Sequence, residues 1–174
     1  QVLRHQNASH RRSAFIKKIG AGLSVEAFNQ QVSLKKIRHV GLTESVQLMG
    51  ACLNWRFDDT SDEITPVIAD CDMLVNHLQI TRGEVIGVHQ RALGLIDGQP
   101  KVELSFKASL EEPHVLDRIA VSGDPDLMLE FPHGVHGDVA TASIVVNAIN
   151  TVQQATPGLR TMADIPLISG QSLK

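Results

Sequence analysis

Two histidines and an aspartate form the pattern His-x-x-His-x-Asp at His133, His136 and Asp138. A strand-like run that ends at Phe131 precedes the pattern, and a helix rich in small and β-branched residues follows it. Imidazole and carboxylate groups exchange protons and bind polar substrate groups. Unpaired backbone N–H groups at the start of the helix favour a bound anion or an acidic cap. The segment therefore predicts a site, without naming its reaction.

The same three residues could instead hold a metal ion, if their ligand atoms converge from an ordered frame. Asp138 fits equally well as an acidic residue in the first turn of the last helix. Plain structural hydrogen bonding is a third alternative. We favour a substrate-binding or loop-organising role and assign no metal.

A second group of reactive side chains lies near the start of the chain, where His10 and Lys18 precede the turn Gly20-Ala21-Gly22. A lysine beside a glycine turn can donate a proton or hold a carboxylate. The alternative is that Lys18 is a solvated surface charge. The turn lacks the third glycine of a dinucleotide fingerprint, because Val25 stands there, and it does not follow a βαβ strand. This chain alone is therefore not expected to bind a nucleotide.

Helical signals surround these residues. Ser24 is a good N-cap for a helix that runs to about Ser33. Thr43 and Glu44 open a second helix with an apolar stripe. A final helix is predicted from about Asp138 to Gln154, before a Pro-Gly pair.

Strand signals fill the middle of the chain. A polar break is expected at 58–62, and then the hydrophobic period changes from helical to alternating. Asp97-Gly98 is a hairpin turn signal. Strands are predicted at 64–69, 74–80, 84–96 and 102–110, with a further hairpin of 118–122 and 126–131.

This order of elements predicts an α+β fold, an open and mostly antiparallel sheet with helices packed on one face. From a length of 174 residues we expect a single domain. The other sheet face then needs a cover, so we expect a homo-oligomer through the sheet. The candidate surface is Val102, Leu104 and Phe106, or the opposite face of that hairpin.

Composition excludes several function classes. The net charge of −3 and the absence of tyrosine argue against nucleic-acid binding. Neither cysteine lies in a C-x-x-C pattern, so we interpret both as buried or free thiols in a reducing compartment. No membrane span or signal peptide is visible, so we expect a cytoplasmic protein. Because the first residue is Gln rather than Met, we expect a piece of a longer polypeptide.

Several short motifs, in this order, resemble a known family. Asn7–Arg11 and Lys18–Ser24 resemble a diverged form of the dihydrodipicolinate reductase signature E-A-H-H-x-x-K-x-D-A-P-S-G-T. Residues 158–165, GLRTMADI, resemble that family's ending. The runs K-I-G-A-G-L, H-V-G-L-T-E-S and H-G-D-V-A-T-A are more similar to the dihydrodipicolinate reductase-like amine dehydrogenases, a group that includes the 2,4-diaminopentanoate dehydrogenases.

The resemblance implies two domains. A Rossmann domain, expected upstream of Gln1, would bind NAD(P)H, and this chain would be the second domain, with substrate contacts and the oligomer interface. Hydride would move between the nicotinamide and an amine or imine carbon, and the isolated chain would not turn over. The implied catalytic residues are Lys18 and His10, and the implied substrate-binding residues are Gly20, Gly22, Ser24, His133, His136 and Asp138.

The chain also departs from the family pattern. Ser9 stands where the reductase has its first, acid-donating histidine, and the Gly-Thr pair that grips the substrate carboxylate is lost. We therefore expect an amine or amino acid with different anionic groups, rather than dihydrodipicolinate. The alternatives are a non-catalytic small-molecule-binding or sensor domain and a structural oligomerisation module.

Overall fold

The computed structural model describes residues 1–75 and 77–170. Three helices follow the first strand, and the middle of the chain is rich in strands. The strands are β1 Val2–Asn7, β2 Asp59–Ile68, β3 Met73–Val75, β4 Leu78–Ile80, β5 Val85–Ile96, β6 Gln99–Ser109, β7 Leu116–Val121 and β8 Leu127–Pro132. The helices are α1 Ser13–Lys18, α2 Val25–Ser33, α3 Gly41–Leu53 and α4 Gly137–Gln154.

Six strands form one sheet in the order β2-β5-β6-β1-β7-β8, and β3 pairs with β4 in a separate ribbon. All pairs in the large sheet are antiparallel except β1 with β6. The first strand of the chain thus lies between β6 and β7, which follow each other in sequence. The predicted α+β fold with a mostly antiparallel sheet is confirmed.

The hydrophobic core lies between one face of the sheet and the helices. Val102, Leu104 and Phe106 alternate along β6 and are buried there, together with Phe28 of α2 and Val46 of α3. Alternation of apolar and polar residues is what a strand buried on one face requires. Because these three β6 residues are covered by the chain's own helices, their prediction as an oligomer surface was wrong. The opposite face of the β5–β6 hairpin is polar, with an Arg91–Glu103 ion pair.

Two predicted strand boundaries were wrong for identifiable reasons. The expected polar break at 58–62 is mostly strand, because β2 begins at Asp59 and pairs with β5 along its length. An edge strand with a solvated face accepts such polar residues. The strand predicted at 74–80 is a hairpin of two short strands, and position 76 lies outside the described residues.

The helix ends follow the local signals more closely. The Ser24 side chain accepts a hydrogen bond from the Ala27 backbone N–H at 3.2 Å, which confirms the N-cap of α2. The α4 helix begins at Gly137, within one residue of its prediction. In contrast, α3 begins at Gly41, two residues earlier than predicted, and the short α1 was not predicted.

Replacing Ser24 by alanine is expected to lower the free energy of unfolding by about 1 kcal/mol, because the Ala27 N–H loses its capping acceptor. Urea denaturation measures the change. Ser33→Ala is the matched control, since the Ser33 hydroxyl donates to the Gln30 carbonyl at the other end of the same helix. An unchanged stability with a weakened substrate affinity would contradict the structural role and support the substrate-binding role predicted for Ser24.

No helix within residues 1–75 and 77–170 has both the length and the apolar composition that a membrane crossing needs. Cys52 and Cys71 are exposed free thiols.

Candidate functional site

A cleft of about 300 Å³ opens where the end of β1 meets the loop between β8 and α4. Four histidines line it, and three of them are sequence-predicted site residues. His10 comes from the turn after β1, whereas His133 and His136 come from the loop before α4. The fourth is His5, on β1 itself. We call this space the histidine cleft.

The loop that carries His133 and His136 is held at one residue, Val135. The Arg4 side chain donates from Nη2 to the Val135 carbonyl at 2.7 Å, and the Val135 N–H donates to Asp117 Oδ2 at 2.9 Å. Arg4 Nε also lies 3.5 Å from Asp117 Oδ1. Since Arg4 and Asp117 sit on adjacent strands, β1 and β7, this Val135 clamp ties the loop to the sheet.

The turn itself depends on left-handed backbone. His133 has a φ of 70° and Gly134 a φ of 66°, and the Gly134 N–H donates to the Phe131 carbonyl at 3.0 Å. A non-glycine residue in this region is uncommon and points to a constraint from its surroundings. The turn follows the last residue of β8 and leads to α4.

Asp138 lies at the margin of the cleft, in the first turn of α4. Its carboxylate pairs with the Arg11 guanidinium at 3.3 Å, and Arg11 itself lines the cleft. Arg11 also lies over the Phe15 ring, 4.8 Å from the ring centroid. Asp138 therefore joins the start of α4 to the turn after β1, the organising role that the sequence left open.

Lys18 does not line the histidine cleft. It lines a separate small cavity of about 30 Å³ beside His39 and Phe106. The His39 ring stacks on Phe106 with centroids 4.5 Å apart, and the His39 backbone N–H donates to Gln90 Oε1 at 2.7 Å. Burial lowers the pKa of His39, and the positive charges of Lys18 and Arg4 lower it further. Arg4 therefore acts electrostatically on His39 beside this cavity and also belongs to the Val135 clamp.

The glycine turn lies outside both groups of lining residues. Gly20 has a φ of 80°, and a β-carbon there would lie 2.7 Å from the Phe28 ring. The Gly22 N–H donates to the Val85 carbonyl at 2.8 Å. With Ser24 capping α2, the three predicted substrate-binding residues of this turn have packing or capping contacts in the fold.

Ser9 occupies the position where the reductase signature has its first histidine, and it is buried. Its hydroxyl donates to Glu111 Oε1 at 2.7 Å and accepts from the Glu111 N–H at 2.9 Å. This position therefore faces the connection after β6 rather than the histidine cleft.

Sequence reasoning missed His5 and Arg11 as cleft residues. A signal for His5 was available in principle, because β1 carries polar side chains on both of its faces. Polar side chains on both faces of a central strand indicate a role other than core packing. Within the described part of the chain, no cluster of three or more His, Cys, Asp or Glu is placed to hold a metal ion.

Comparison with known proteins gives consistent matches over nearly the whole chain. The sequence profile of the family described as "2,4-diaminopentanoate dehydrogenase C-terminal domain" matches residues 2–172. The chain is 28% identical over 160 residues to the 2,4-diaminopentanoate dehydrogenase of Acetoanaerobium sticklandii. The matched region covers 88% of this chain and 45% of that protein.

Among solved structures, the fold is similar to that of an amine dehydrogenase from Mycobacterium smegmatis, with a TM-score of 0.82 and 18% sequence identity. That match covers 98% of this chain and 51% of the other. The chain thus spans about half the length of the relatives that it matches.

Proposed function

This chain belongs to the family of 2,4-diaminopentanoate dehydrogenase C-terminal domains, and on that premise we propose that it is the substrate-binding domain of an NAD(P)-dependent oxidoreductase. The proposed substrate is an amine, an imine or an amino-acid-like molecule. The observation that carries the proposal is the histidine cleft, where His10 meets His133 and His136 from a distant part of the chain.

The nicotinamide coenzyme is proposed to come from a Rossmann domain of the same polypeptide, which this chain does not include. When bound, the nicotinamide accepts or donates the hydride. The glycine turn of this chain does not fit a pyrophosphate, since Gly20 packs on Phe28 and the Gly22 N–H is already bonded to Val85. The residues here would instead position the substrate and move protons.

Within the cleft, His10 is the proposed proton-transfer residue, because its side chain reaches the cleft from an exposed turn. His133 and His136 are proposed to bind polar groups of the substrate, and Asp138 holds Arg11 at the rim. Lys18 remains a candidate proton donor or anion-binding cation, now beside His39 rather than beside the other predicted residues.

We also propose a homo-oligomer in the cytoplasm, through a surface that differs from the predicted one. Leu127, Leu129 and Phe131 alternate along the edge strand β8 and are exposed. No residue of α4 is buried, although the helix carries many branched apolar side chains. Exposed apolar patches of this kind mark interaction surfaces.

The test is a kinetic assay of the intact enzyme that contains this chain, with NAD⁺ or NADP⁺ and primary amines with and without a carboxylate. Amine-dependent reduction of the nicotinamide is expected, and His10→Gln is expected to lower kcat/KM by roughly 10²–10⁴, the usual contribution of a general acid or base. His77→Asn, in the β3–β4 hairpin, is the matched control and should leave the rate unchanged.

Three other outcomes would count against the proposal. Amine binding without turnover would support the non-catalytic binding domain instead. Neither binding nor turnover would support the structural module. Full activity in the His10→Gln enzyme would remove His10 from the reaction.

A further inference from the structure

A buried carboxylate lies behind the histidine cleft, and none of the roles above uses it. Glu112 follows β6 and is 4% exposed. Its Oε2 lies 2.8 Å from Lys107 Nζ and accepts from the Ser109 hydroxyl at 2.9 Å. Its Oε1 accepts from the His114 N–H at 3.3 Å. A buried charge is tolerated when it is paired and hydrogen-bonded in this way.

His5 joins this group to the cleft. In the parallel β1–β6 pair, His5 is the direct partner of Lys107, so their side chains share the sheet face that the helices do not cover. His5 also lines the cleft itself. His5 therefore lies within electrostatic reach of the Glu112–Lys107 pair and also borders the space proposed for the substrate.

We propose that His5 is a further substrate-binding residue, a neutral imidazole that accepts a hydrogen bond from the amino group of the substrate. In this proposal, Glu112 and Lys107 are positioning residues that set the charge of His5. The inference rests on the proposed function, because it takes an amine as the ligand.

The electrostatic surroundings favour the neutral ring. Burial lowers the pKa of His5, Glu112 opposes this, and Lys107 and His114 lower the pKa again. A hydrogen bond with the His114 backbone acts in the opposite direction. His89 on β5 also faces this group, and burial, then His5 and Lys107, lower its own pKa. The cleft adds four further charged or titratable groups: His10, Arg11, His133 and His136.

The hydrogen-bonding inventory explains why a neutral imidazole is useful in this cleft. Arg11 offers only donors, and an amino N–H needs an acceptor. A neutral imidazole has one nitrogen that carries a hydrogen and a second nitrogen that accepts a hydrogen bond. Glu112 remains anionic because, although burial raises its pKa, the hydrogen bonds from Lys107 and Ser109 hold that pKa below its ordinary value. This anion offsets the charge of Lys107 beside His5.

The first experiment follows the His5 ring by NMR while the pH of the chain is varied. The His5 pKa is expected below the ordinary histidine value of about 6.5. Glu112→Gln should lower it further, because a negative charge is removed, whereas Lys107→Gln should raise it. Opposite shifts would show that these two charges together set the ionisation of His5. Glu130→Gln, which removes the carboxylate paired with Arg118, is the control and should not move it.

The second experiment measures kcat/KM of the intact enzyme for butan-2-amine. His5→Leu should lower it about tenfold, mostly through KM, since one hydrogen bond to the amine is lost. His5→Gln, which keeps an acceptor, should recover most of the loss. If Lys107→Gln fails to fold, Glu112→Gln still gives the direction of the pKa change.

The outcomes separate the two proposals. A His5 ring that titrates at or above the ordinary value, or a His5→Leu enzyme with unchanged kinetics, overturns this inference alone. An enzyme without any amine-dependent activity contradicts the proposed function, and this inference with it.

Discussion

Gly20→Ala is expected to lower the free energy of unfolding by about 2–5 kcal/mol, the largest loss of stability predicted for this chain. Two causes add. The φ of 80° costs an L-residue roughly 1–2 kcal/mol. The new β-carbon would also lie 2.7 Å from the Phe28 ring and 3.0 Å from Ile37. The packed core must shift to make room for it, and this strain costs about 1–3 kcal/mol. Urea denaturation of the chain measures the sum.

Gly22→Ala is the matched control for this prediction. Its φ of 82° is nearly the same, but its β-carbon would meet Leu78 at 3.4 Å, an ordinary contact. Only the backbone cost of roughly 1–2 kcal/mol is expected there. Equal losses at the two glycines would contradict the packing argument, and a loss of substrate affinity at either one without a loss of stability would restore the substrate-binding role predicted from sequence.

Arg4→Met is expected to lower kcat/KM of the intact enzyme by roughly 100-fold, because a displacement of about 1 Å in a site can cost that much. Arg4 does not line the histidine cleft, but it donates to the Val135 carbonyl at 2.7 Å and so holds the loop that carries His133 and His136. Steady-state kinetics, with circular dichroism to confirm the fold, measure the effect.

Asp117→Asn tests whether the two halves of the Val135 clamp act together. Arg4 and Asp117 bind the C=O and the N–H of the same residue, Val135, so the double variant should lose less than the sum of the single variants. Arg56→Met, an exposed arginine after α3, is the control and should keep full activity. Additive losses, or a wild-type rate in Arg4→Met, would show that the clamp does not position the loop.

The fold was predictable where the hydrophobic period was strong. The alternation along β6, the Ser24 cap and the hairpin that joins β7 to β8 all follow from local residue types. The edge strand β2 was not fully predictable, because polar residues satisfy a solvated edge as well as they satisfy a loop. The position of β1 between β6 and β7 depends on partners a hundred residues away in sequence, which no local pattern encodes.

The candidate site was predictable to a similar degree. His133 and His136 were recognised from their spacing, and the family resemblance directed attention to His10, which the fold then places beside them. Lys18 was predicted because it precedes a glycine turn and resembles the lysine of the family signature, yet at the end of α1 it lines a different cavity. His5 and Glu112 were overlooked, since a histidine in a strand and a glutamate in a turn have no distinctive spacing.

The place of β1 in the sheet has a consequence for the order of events during synthesis. The first strand leaves the ribosome before any of its partners, and both of its neighbouring strands exist only once residues 99–121 have been made. Until then its backbone donors and acceptors stay open to water or to other chains, and such distant pairing is slow to form. The histidine cleft needs β1 in its place in the sheet and the loop up to His136, so a nascent chain that ends before this loop has no complete cleft.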